Sequence, residues 1–157
     1  MVRDDYGFRG FFELRTPKDL LEKLRHDHRR LAANPLGSYA AFDFFVTANH
    51  LVDWVWPCAE REQQRKNRRS ETLPRICEHL ADGAKHFQLS SPHQGVSAVT
   101  KTDGFFDPGV FDPDFFDVGE LIVTLEPTEA IELDRQTITA IDLATLVLAY
   151  WERRLGQ

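Results

Sequence analysis

Apolar positions fall in two rhythms along this chain, one of about 3.6 residues and one of two, and they divide it into a helical body and a smaller β-rich segment. The first helix runs from Asp19 to Ala33. Leu20, Leu21, Leu24 and Leu31 lie on its inner side. Thr16 stands where an N-cap belongs, Pro17 suits the first helical position, and Asp19 completes a capping box. Asn34-Pro35-Leu36-Gly37 ends the helix, since proline cannot extend the hydrogen-bond ladder. The second helix, Ser38 to Trp56, is apolar around nearly its whole circumference, which predicts burial on most sides. Pro57 stops it. A polar stretch from Glu60 to Thr72 reads as an exposed helical extension or a connection.

The third helix spans Leu73 to Gln88, with Ile76, Leu80, Ala84 and Phe87 on one face. Beyond the loop Ser90–Gly95 the period shortens. Val96–Lys101 and Glu120–Leu125 read as strands, with Ala130–Leu133 pairing back across a Glu126-Pro127-Thr128-Glu129 turn. Phe105 to Asp117, rich in Phe and Asp, lies between the strands. The last helix, Thr139 to Leu155, has a Thr139/Asp142 capping box and Gly156 past its end. Its Leu143, Leu146, Val147, Tyr150 and Trp151 are expected to dock on the helical core. The pattern predicts an α+β domain over residues 1–157. Three or four bundled helices (residues 17–90 and 139–155) carry a small antiparallel β insertion (96–134) before the C-terminal helix.

A chain of 157 residues can bury a core without disulfide or metal, and its 42% apolar and 28% charged content is ordinary for a globular domain. The two cysteines, Cys58 and Cys77, form no CxxC pair and read as reduced thiols. No apolar run has signal-peptide or membrane-span length, so a cytoplasmic location without membrane insertion is expected. The net charge of −6 is unevenly spread. Residues 1–95 hold 15 Lys/Arg against 13 Asp/Glu, and residues 96–157 hold 4 against 12, so an anionic partner is expected on the first half.

Two polar stripes are where chemistry would sit. On the second helix, at about 100° per residue, Asp43, Thr47 and His50 share one side, with Asp53 on its flank. On the third, Arg75, His79, Asp82 and His86 follow the spacing i, i+4, i+7, i+11. An arginine, two histidines and an aspartate in a row offer an anion clamp, a general base and a group to orient it. If the stripes converge, the catalytic candidates are His79, His86, Arg75, Asp82, His50 and Asp53, joined by Asp43. A surface amphipathic helix shows the same stripe with no site at all. Arg61, Arg65, Lys66, Arg68 and Arg69 form a run suited to phosphate backbone, or simply a solvated face. Cys77 projects toward the apolar side of its helix, and no nucleophile elbow, phosphate loop, dinucleotide fingerprint, HExxH or EF-hand spacing is present. No cofactor or metal is expected.

The run Leu73–Phe87 resembles a helix of uncharacterised bacterial proteins and, more distantly, the HEPN helical bundles, many of which are ribonucleases. The similarity covers residues 17–90. Their signature is an Arg followed after four to six residues by a His; here Arg75 and His79 are separated by three, and Arg75 and His86 by ten. The resemblance implies an RNA-associated protein of a bacterial defence or toxin module. His79 or His86 would act as acid/base, Arg75 would hold phosphate, and the Arg61–Arg69 run would contact the backbone. The residues alone also allow a non-catalytic binding or regulatory domain, in which the Phe/Asp-rich stretch meets a protein partner or a second copy. A metal-dependent hydrolase ranks third.

Overall fold

The structure is a computed structural model, described here for residues 9–86, 95–103 and 119–156. Helix α1 (Pro17–Ala33) opens with the anticipated capping box. The Thr16 side chain accepts from the Asp19 amide, and the Asp19 carboxylate accepts from the Thr16 amide. Helix α2 (Ser38–Val55) follows, then a single 3-10 turn (Ala59–Arg61), α3 (Glu62–Arg69) and α4 (Thr72–Lys85). After α4 come strands β1 (Val96–Lys101) and β2 (Leu121–Leu125), α5 (Pro127–Glu132), β3 (Thr137–Thr139) and α6 (Ala140–Leu155).

The described residues thus hold six α-helices where three or four were expected. One of the added helices is the polar stretch after Pro57, which folds as α3. The other replaces a strand. Ala130–Leu133 lies in and just past α5 because Pro127 occupies the first turn and Asp134, at φ 53°, ends it in the left-handed region. The third strand is instead Thr137–Thr139, antiparallel to β2, and the sheet order is β1-β2-β3. Thr139 both closes this strand and caps α6, accepting from the Asp142 amide.

Helices α1, α2, α4 and α6 form the bundle: α2 packs on α1 and α4, and α6 on α1. Phe44, Leu21, Leu24, Leu31, Leu51, Ile76, Leu143 and Trp151 fill its centre. Cys77 is buried among them, and loss of solvent pushes its thiol pKa up. Leu146, expected to dock, is 38% exposed, while its neighbours Leu143, Val147, Tyr150 and Trp151 are buried. The sheet is fastened to the bundle by the β3–α6 junction and by Gly95. At φ 130°, Gly95 adopts a backbone conformation open to glycine as it brings the chain past Ile76 into β1. Phe87, Gln88 and the Phe/Asp-rich stretch from Phe105 to Asp117 lie outside the described residues.

Candidate functional site

Among the described residues the side chains of the two polar stripes turn to different partners. Asp43 pairs with Arg30 of α1 at 2.7 Å. Thr47 is buried, and its hydroxyl donates to Asp27, which also meets the Lys23 ammonium at 2.5 Å. His50 is exposed. Asp53 accepts two hydrogen bonds from Arg69 of α3, at 3.0 and 3.1 Å.

On α4, Arg75 turns toward α5, with Nε 2.6 Å from the buried Glu129 and Nη2 3.0 Å from Glu132. His79 turns toward the sheet, where its Nδ1 accepts the Val96 amide at 3.1 Å. Asp82 is half-buried, and its backbone carbonyl receives the amide of His86, the exposed C-cap of the helix. An indirect link joins the two helices. Arg69 stands between Asp53 of α2 and Glu78 of α4, the latter at 3.5 Å. The surrounding cavity is polar and of mixed charge, lined also by Glu62, Arg65, Lys66 and Ser70.

The cationic run on α3 is largely turned inward. Arg65 donates to the Trp56 carbonyl at 3.2 Å, and Arg69 is held as described. Arg68 bonds Glu71 and the Tyr150 hydroxyl and lies 5.3 Å from the centre of the Trp56 ring. Lys66 pairs with Glu62 at 3.2 Å, and Arg61 is exposed. Tyr150 also donates to Glu71 at 2.5 Å. Burial pushes the Glu71 carboxyl up, but the Tyr150 hydroxyl and the Arg68 guanidinium outweigh it and hold the group below its ordinary value.

A different feature has the form of a binding site. A cleft of about 600 Å³ opens between the N-terminal half of α2, the C-terminal half of α4 and the sheet. Ala41, Phe42 and Phe45 form one wall; Leu80, Gly83 and Ala84 form the other; Val99, Leu121 and Val123 make the floor. Cross-strand partners share a sheet face, so the pairings Val99–Val123 and Val123–Ile138 place all three valine and isoleucine side chains toward the helices. Val123 and Ile138 are 3% and 4% exposed; Val99, on the same face, is 65% exposed. Nothing described covers it. Phe42, opposite, is 50% exposed. Among the described residues β1 is also an edge strand, with Ser97 through Lys101 open to solvent.

Gly83 is the residue that opens one wall. A Cβ added there would meet no atom within 4 Å apart from its own helix, so the glycine leaves space where any other residue would project. Of the six catalytic candidates, His79 lines this cleft and Asp53 the polar cavity. Among the described residues no group of three His, Cys, Asp or Glu side chains is placed to hold a metal ion. The cleft was hidden from sequence reasoning because its lining comes from five separate segments. The available hint was a lone glycine within a helical pattern. No protein-family model, curated protein or solved structure matches this chain.

Proposed function

We propose that this chain is a non-catalytic binding domain that takes an extended, largely apolar segment of a partner protein into the cleft, where the segment adds to β1 as a fourth strand. The observation that carries it is Val99, an inward-facing residue on a strand that is an uncovered edge among the described residues, above an apolar floor. Edge strands expose a row of unpaired amides and carbonyls, and strand addition uses that row for affinity while neighbouring pockets read alternate side chains. The cleft is of the size common to ligand sites and mostly apolar.

Hydrolysis of RNA by the α4 stripe fits the contacts less well. Arg75 would have to leave Glu129 and Glu132 to hold a phosphate, and His79 would have to release the Val96 amide from Nδ1. Three arginines of the α3 run are likewise engaged within the chain.

Gly83 provides the test. Replacing a helix-interior glycine removes a conformational cost of about 0.5–1 kcal/mol, so Gly83→Ala and Gly83→Met should both melt higher than the parent chain. Fluorescence anisotropy of a labelled, end-blocked hexapeptide, Gln-Thr-Val-Thr-Val-Thr, should show saturable binding to the parent and to Gly83→Ala. Gly83→Met, whose side chain fills the cleft, should bind at least tenfold more weakly, about the 1.4 kcal/mol equivalent of that ratio. Equal binding to the Met variant, or none to the parent, rules the proposal out.

A further inference from the structure

Given that binding role, the geometry points to the chemistry of the partner: we infer that the segment carries a carboxylate that meets Lys101, two residues before the apolar side chain that covers Val99. Lys101 ends β1 and lies two positions from Val99. Alternation along a strand therefore puts both on the inner face. Its cross-strand partner is Leu121, part of the cleft floor. Among the described residues every other side chain lining the cleft is apolar, a hydroxyl or the His79 imidazole, so there Lys101 supplies the formal charge. The ammonium forms no ion pair with a described residue, although the chain as a whole carries a net charge of −6.

A lysine turned inward on an edge strand discriminates between partners. It disfavours a purely apolar strand, because covering the ammonium without a counter-charge costs free energy. A second copy of this chain is disfavoured for the same reason. Pairing β1 with β1 would offer Lys101 only Val96, Ser97, Ala98, Val99 and Thr100, none of them acidic. A strand bearing Asp or Glu opposite Lys101 removes the penalty and gains a cross-strand ion pair. The sheet is antiparallel throughout, and a segment continuing that pattern begins opposite the end of β1. The partner motif is thus an acidic residue, any residue, then Val, Ile or Phe, read from its N-terminal end.

The experiment compares two labelled hexapeptides, Glu-Thr-Val-Thr-Val-Thr and its Gln-first counterpart, on the full chain by anisotropy. The acidic peptide should bind the parent about two- to fivefold more tightly at low salt, the range for a solvent-exposed ion pair. The preference should shrink at roughly 0.5 M salt as screening shortens. It should vanish in Lys101→Met and invert in Lys101→Glu. Thermal melts of both variants should match the parent, because Lys101 is exposed. Equal binding of both peptides to the parent, or a preference that survives in Lys101→Met, overturns the carboxylate assignment and leaves the cleft as a binding site. Binding of neither peptide removes the proposed function itself. Displacement of the labelled peptide by free dodecanoate as effectively as by unlabelled acidic peptide would overturn the polypeptide in favour of a small amphiphile, and a dimer that buries β1 in solution would overturn it in favour of a second copy.

Discussion

Arg75 shows how one residue can belong to a stripe by sequence and to a different structure by contact. Its spacing with His79, Asp82 and His86 marks a helix face suited to holding an anion. The anion it meets is Glu129, fully buried and 54 positions further along the chain. Nothing in the local pattern foretells that partner, since Glu129 follows Pro127 in what reads as a turn. Removing one member of a buried pair strands the other's charge away from water. We therefore expect Arg75→Ala to destabilise the fold by about 3 kcal/mol in urea unfolding. Adding Glu129→Gln to that variant should restore part of the loss, because the stranded charge is gone. A loss below about 1 kcal/mol for Arg75→Ala would mean that Arg75 is not a structural anchor and is free to serve a ligand, reviving the phosphate-clamp role.

At the scale of elements, local signals were the legible ones. Thr16 and Asp19 declared the start of α1, Thr139 and Asp142 that of α6, and the proline at position 57 the end of α2. Where the outcome depended on tertiary partners, local reading was incomplete. Ala130–Leu133 has the look of a returning strand, but Pro127 starts a helix and Thr137–Thr139 takes the place beside β2. The α3 arginines look like a phosphate-binding face, but Trp56, Glu71 and Asp53 receive three of them.

Glu71 gathers several elements at once, bonding Arg68 of α3 with Tyr150 and Arg154 of α6. Its carboxyl pKa lies below the ordinary value, roughly 4.3 for glutamate. The folded chain therefore gains from this ionised group above that pH, and the gain is lost as pH falls through the lowered value. Asp19, held low by the amides of Arg15 and Thr16, acts in the same direction. Urea midpoints should accordingly fall as pH drops below about 4, and Glu71→Gln should show a shallower fall over that range. An identical acid limb in that variant would remove Glu71 from the stability of the α3–α4–α6 junction.

For the molecule as a whole, the division into a helical body and a β appendage was visible in the change of hydrophobic period near Val96. How the two parts meet was not. The cleft is built from residues 38–45, 79–84, 96–101 and 121–123 and from Ala140, five stretches whose proximity arises only once α2, α4, α6 and the sheet have packed. Phe42 and Val99 look like core residues in sequence and become exposed walls in three dimensions, because α6 and α4 carry the sheet at a distance from α2 that leaves room between them. The charge asymmetry of the chain is also recast: Arg25, Arg30, Arg68, Arg69 and Arg75 of the first half are paired with carboxylates, and among the described residues Lys101 is the one lysine lining the cleft.

The most direct test of this binding role is amide chemical-shift mapping of the isotope-labelled chain titrated with the Glu-Thr-Val-Thr-Val-Thr peptide. The largest changes should fall on Ser97–Lys101, Gly83 and Phe42, with α3 unmoved. Changes centred on Arg61 and Lys66, or on His50 and His86, with β1 silent, would contradict it.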